Sequence, residues 1–346
     1  VYSANEERRM RNIREYLDRS RAEVEPTMRA AVDQLPESMH RIASYHLGWS
    51  DEHGAATAGN GGKAIRPALV LLAAQVVGGA AAAALVPAAA LELVHNYTLM
   101  HDDVMDGDLT RRHRATAWKV FGRWPSVLAG DALLAQALTM LAVEPRAEAV
   151  RGTGVLTGAV LAVHEGQFAD LGLETRGVVS LDEVTAMVHG KTSALFGCAC
   201  ELGALYGGGT EEQIKSLRNF GDHIGMAFQL VDDMLGIWGR YESTGKPVCA
   251  DIAARKKSLP VTAALNSATT AGAKLSVIYR SERRLTDEEL RNTADLIVAA
   301  GGRAWAEARA EEEIAAALGY LTEATVSAEH AERLIDIAHL VTHRDL

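Results

Sequence analysis

From Ala68 to Leu91 the chain carries no charged side chain. A run of that length is long enough to cross a bilayer, so its reading constrains everything around it. Its content points elsewhere: it is mostly Ala and Val, with Gln75, the pair Gly78–Gly79 and Pro87 inside it. A glycine pair and a proline in so short a stretch read as a turn between two helices. Two buried core helices are therefore expected here, with no membrane span. Val1 to Arg29 is charged and amphipathic, without the apolar centre of a secretory signal. Cys198, Cys200 and Cys249 are too few and wrongly spaced for a disulfide framework or a zinc site, which fits a reduced, cytoplasmic protein.

Elsewhere the chain is rich in alanine, only 5% aromatic, and almost free of β-branched alternation, so strand signals are weak. Helical periodicity predicts helices near 5–32, 64–77, 81–106, 124–142, 146–170, 181–205, 210–239, 258–269, 285–299, 303–319 and 327–343. Ser180, Thr210 and Thr286 each precede acidic first turns, as helix caps do. No Pro- or Ser-rich linker divides the chain. The expectation is one all-α domain over residues 1–346, with 1–25 set apart as an N-terminal arm. Lys and Arg total 35 against 45 Asp and Glu, a net charge of −10. That balance argues against nucleic acid held by bulk charge.

The chemistry concentrates at the end of one apolar helix. Asp102, Asp103 and Asp106 stand at i, i+1 and i+4, which puts Asp102 and Asp106 on one face a turn apart. Carboxylates so close repel one another unless a cation sits among them, and hard oxygen donors suit Mg²⁺. A solvated acidic helix end is the bland alternative. A second apolar helix repeats the pattern, with Gln229, Asp232, Asp233 and Gly236 at i, i+3, i+4 and i+7. Two such patches facing each other across a bundle core suit a metal-held diphosphate. Basic residues supply the rest: Lys63 and Arg66 after a glycine-rich loop, Arg111 and Arg112, then Lys191, Lys246 and Lys256. Gly62–Lys63 is not a Walker A loop, since Thr57 and Ala64 stand where its first glycine and its Ser/Thr belong.

In this order, Gly62-Lys63-x-x-Arg66-Pro67, Asp102-Asp103-x-x-Asp106, Arg111–Arg112, Gly130–Asp131, Gly166–Gln167 with Asp170, Lys191–Thr192, Gln229 with Asp232–Asp233, Gly245-Lys246-Pro247, Asp251 and Lys256 resemble the trans-type isoprenyl diphosphate synthases of the polyprenyl synthetase family, above all the geranylgeranyl diphosphate synthases. The resemblance implies the isoprenoid synthase fold, helices bundled around a deep central cavity, and a homodimer. It implies that Asp102, Asp106 and Asp232, with Asp103 and Asp233 beside them, hold a cluster of three Mg²⁺ on an allylic diphosphate (dimethylallyl, geranyl or farnesyl). Arg111, Lys191, Lys246 and Lys256 would grip that diphosphate. Lys63, Arg66, His95 and Arg112 would bind isopentenyl diphosphate, and Thr192 and Gln229 would flank the allylic cation. The reaction implied is head-to-tail condensation with release of diphosphate.

Two departures stand out. Gly236 replaces the usual third aspartate of the second motif, and His113 and Ala115 replace the Gly and Pro that commonly follow the paired arginines. By resemblance, Tyr97 and Thr98, a turn before Asp102, set the product length, and the aromatic Tyr97 implies a C20 product. The alternatives are a C15 (farnesyl) synthase, a class I terpene cyclase, and a non-catalytic regulatory subunit of a heteromeric synthase. Attachment of the N-terminal arm to a protein nanocompartment shell is a further use that no residue here supports.

Overall fold

The structure is a computed structural model that describes residues 4–57, 62, 64–239, 247–281 and 283–342. Backbone contacts divide the chain into two compact units, the first comprising residues 1–160, 198–217 and 324–334, the second residues 161–197, 218–323 and 335–346. Among the described residues nearly all regular structure is helical, as the periodicity predicts.

The first unit opens with α1 (Ala4–Val32) and α2 (Glu37–His46), followed by α3 (Ile65–Val76). Residues expected as a separate arm are the first part of α1, which runs through Pro26 and buries Ile13, Leu17 and Val24. The charge-free run resolves as foreseen into helices joined at Gly78–Gly79. Every residue from Ala68 to Ala74 is fully buried, and a short 3₁₀ turn (Ala81–Ala84) leads into α4 (Leu85–Asp106). α4 packs against α1, α3 and α6 (Arg123–Ala142). Between α4 and the short α5 (Ala117–Phe121) lies a two-residue hairpin, β1 (Thr110–Arg111) paired with β2 (Arg114–Ala115).

The second unit takes the later part of α7 (Ala149–Glu174), then α8 (Leu181–Val188), a π-helical turn (His189–Ser193) and the start of α9 (Ala194–Tyr206). It continues with most of α10 (Glu211–Trp238), α11 (Ala250–Ala253), α12 (Leu259–Leu265), α13 (Thr270–Tyr279), α14 (Asp287–Ala299), α15 (Gly302–Ala324) and the end of α16 (Ala328–Thr342). Ser180 and Thr286 close full capping boxes with Glu183 and Glu289, and Thr210 exchanges hydrogen bonds with Gln213. These are the reciprocal bonds that make such starts legible. The expected helix over 181–205 is instead interrupted by the π turn. α2 and α13 fall outside the predicted set: Pro36 precedes one, and the other starts in a Ser/Thr/Gly-rich stretch capped by Thr269 on the Gly272 amide.

Candidate active site

In the first unit the acidic motif ends α4, where Gly107 takes the left-handed conformation and its amide closes on the Asp103 carbonyl. The three carboxylates are not equivalent. Asp102 is half-buried and Asp106 exposed, whereas Asp103 is 1% exposed. The Arg111 Nε donates to Asp103 Oδ1 at 2.6 Å. Burial pushes the Asp103 carboxyl up to about 6, against the pull of Arg111. The arginine returns because the hairpin reverses the chain within two residues. Its central pair, Arg112 and His113, both have positive φ (51° and 62°), as the tightest hairpin turns require. His113 thus sits in a backbone region that the family's usual glycine occupies without strain.

Three residues that the sequence did not single out hold this hairpin. The Tyr45 hydroxyl donates to the Ala115 carbonyl at 2.8 Å, and Arg114 donates to the Tyr45 and Ser50 carbonyls while lying over the Tyr45 ring. From α1, Arg21 donates to the Gly62 carbonyl. Only the Arg-rich run around Arg114 signalled any of this in sequence. Nearby, Arg66 Nη1 lies 3.2 Å from His95 Nε2. Burial and the arginines around it lower the His95 pKa well below its usual value, so the ring accepts from Arg66. Burial raises the Glu92 carboxyl and lowers Arg112. Arg66, His95 and Arg112 therefore form one buried basic cluster around Glu92. Lys63 lies outside the described residues.

In the second unit the second motif shows the same division of labour. Asp232 is exposed on α10, while Asp233 is 2% exposed and bound on three sides. The Leu259 amide donates to it at 2.9 Å, Gln229 Nε2 donates at 2.8 Å, and Lys256 Nζ stands 3.8 Å away. Burial again pushes the carboxyl up to about 6. Gln229 in turn accepts from the Thr192 hydroxyl at 2.8 Å, so Thr192, Gln229 and Asp233 form one chain of hydrogen bonds. Lys191 pairs with Asp170 at 2.5 Å. Lys191 and Thr192 both ride on the π turn, a distortion that tends to mark working sites. Gly166 makes room for that turn, since a Cβ there would lie 2.3 Å from the Lys191 amide nitrogen. Lys246 lies outside the described residues.

Each cation described in these clusters is thus matched to a carboxylate or a neutral acceptor, and each motif keeps at least one acid turned outward. Among the described residues no three His, Cys, Asp or Glu side chains converge as a ready-made metal cage. Mg²⁺ does not need one: it takes one or two carboxylates and fills its octahedron with water and phosphate oxygens. The outward Asp102, Asp106 and Asp232 fit that demand, and the buried Asp103 and Asp233 fit it less well.

Residues 49–297 match the polyprenyl synthetase family. The chain is 41% identical over 324 residues to the (2E,6E)-farnesyl diphosphate synthase of Mycobacterium tuberculosis, covering 93% of this chain and 90% of that protein. It is 42% identical over 330 residues to a geranylgeranyl diphosphate synthase of the same organism, covering 95% and 93%. Among solved structures it resembles a polyprenyl synthetase from Streptomyces coelicolor A3(2), with a TM-score of 0.90 and 42% identity over 94% of this chain and 98% of that one. The all-α architecture is therefore the isoprenoid synthase fold, and the enzyme class is prenyl transfer. The chain belongs to the polyprenyl synthetase family and is a prenyltransferase.

Proposed function

We propose that this prenyltransferase joins isopentenyl diphosphate head to tail to an allylic diphosphate and ends at the C20 product, geranylgeranyl diphosphate. The single observation that carries the reading is the repeated build of the two acidic motifs. In each, one aspartate is buried and tied to a cation, while a neighbour one residue earlier stays accessible to a metal-held diphosphate. Mg²⁺ bound to Asp102, Asp106 and Asp232 supplies Lewis-acid stabilisation of the departing diphosphate. Arg111, Lys191 and Lys256 add fixed positive charge for the allylic diphosphate, with Lys246 assigned the same role from sequence. Arg66, His95 and Arg112, with Lys63, bind the second diphosphate. The Thr192 hydroxyl donates to Gln229, which leaves the threonine's lone pairs to face developing positive charge.

The C20 assignment rests on Tyr97. It is 4% exposed, lies five residues before Asp102 on α4, and packs edge-on against His101 with ring centroids 4.6 Å apart. Its neighbour Thr98 is smaller and turns its hydroxyl back to the His95 carbonyl at 2.8 Å. One large ring and one small side chain favour a C20 limit over a C15 one. Tyr97→Ala should lengthen the product beyond C20 by chromatography. Unchanged length would remove Tyr97 from the role and return C15 to equal standing.

The reading also pairs two copies of the chain. Only 33% of the apolar window of α6 is buried, and Trp124 and Leu128 lie exposed along it. Sedimentation at micromolar concentration should give a dimer.

A further inference from the structure

We infer that Asp251 is the third carboxylate of the second acidic motif, delivered from α11 into the space that Gly236 leaves open on α10. The two motifs differ in one respect: the first has acids at i, i+1 and i+4, whereas the second has Asp232, Asp233 and then Gly236. A Cβ placed on Gly236 would lie 2.2 Å from Asp251 Oδ2 and 2.5 Å from its carboxyl carbon. The volume of the missing side chain is thus filled by a carboxylate from another element.

The backbone holds it there. The Cys249 amide donates to the Ile237 carbonyl at 3.2 Å, pinning the start of α11 to the turn of α10 that contains Gly236. After α11, Arg255 takes a positive φ of 56° and the Lys256 amide donates to the Asp251 carbonyl at 2.9 Å. That turn brings the Lys256 ammonium to 4.0 Å from Asp251 and 3.8 Å from Asp233. The Asp251 side chain is 14% exposed. One lysine therefore bridges the buried acid of α10 and the borrowed acid of α11. Asp251 acts as a positioning residue: it orients Lys256 and completes the negative field beside Asp232.

This inference rests on the prenyl-transfer reading, and the test separates the two. Binding of inorganic diphosphate is measured by calorimetry across a Mg²⁺ titration, with thermal midpoints to verify folding. Asp251→Asn, isosteric but uncharged, should raise the Mg²⁺ needed for half-saturation about 10-fold, the usual scale for losing a supporting group at a metal site. Gly236→Asp should be comparably impaired, because its new side chain collides with Asp251. The exchange Gly236→Asp with Asp251→Ala should restore the Mg²⁺ requirement to within about threefold of the parent. An Asp251→Asn protein with unchanged Mg²⁺ dependence overturns the inference alone, as does an exchange variant no better than the worse single variant. A parent protein that binds no diphosphate with Mg²⁺ overturns this inference and the reading beneath it.

Discussion

At the scale of single residues the site depends on which of two adjacent aspartates faces inward. Asp102 and Asp103 are one residue apart, so their side chains diverge by about 100° around the helix. Asp103 takes the buried side, where Arg111 meets it at 2.6 Å. A hydrogen bond to a charged group contributes about 1.5–3 kcal/mol. Asp103→Asn should therefore raise KM for the allylic diphosphate about 10-fold with a smaller change in kcat, since it loosens Arg111 without touching the accessible acids. Asp102→Ala should instead lower kcat on the order of a hundredfold. Steady-state kinetics on the two variants separates the roles; equal losses in kcat would show that both acids serve the diphosphate directly. The residue types and their spacing were legible in sequence, but the division between them was not. It depends on a hairpin whose turn residues, Arg112 and His113, carry none of the Asn-Gly signal such turns usually show.

Among the elements, the π turn His189–Ser193 contributes most to the site, because it carries Lys191 and Thr192 and rests on Gly166 of α7. Gly166→Ala would force a Cβ to within 2.3 Å of the Lys191 backbone nitrogen. Backbone cannot give way as a side-chain tip can, so the variant should lose about 1–3 kcal/mol of stability and bind the allylic diphosphate more weakly. Thermal unfolding followed by circular dichroism, with KM measured alongside, checks both parts. Helix starts with reciprocal caps, at Ser180 and Thr286, could be read directly from the chain, because the cap and its partner are three residues apart. The π turn could not, since one extra residue in a helix leaves the apolar pattern almost unchanged. The contact that makes room for it comes from Gly166, distant in sequence. Asp251 escaped assignment for the same reason: its contact with Gly236 joins two helices.

For the whole molecule, the net charge of −10 takes on a narrower meaning. It argues against nucleic acid, yet part of the acidic excess is the set of carboxylates that a metal-bound diphosphate needs. Buried neutral histidines add a pH dependence. Burial, then the charges of Arg112 and Arg111, lower the His46 pKa from 6.5 to about 3. A depressed folded pKa means that the unfolded chain takes up a proton the folded chain refuses, so stability is full above pH 6.5 and falls as the solution is acidified. From about pH 7.5 to about pH 5.5 His46 alone should remove about 1 kcal/mol, and His46→Gln should abolish that share of the loss in urea titrations. An unchanged pH slope would show that His46 protonates freely in the folded state.

The central claim is the reaction itself. Radiolabelled isopentenyl diphosphate should be incubated with the protein and Mg²⁺, with dimethylallyl, geranyl and farnesyl diphosphate supplied separately as primers. The account predicts Mg²⁺-dependent elongation of an allylic primer, with label accumulating in geranylgeranyl diphosphate and not beyond it. Failure to incorporate label with any primer, or accumulation that stops at C15, would contradict it.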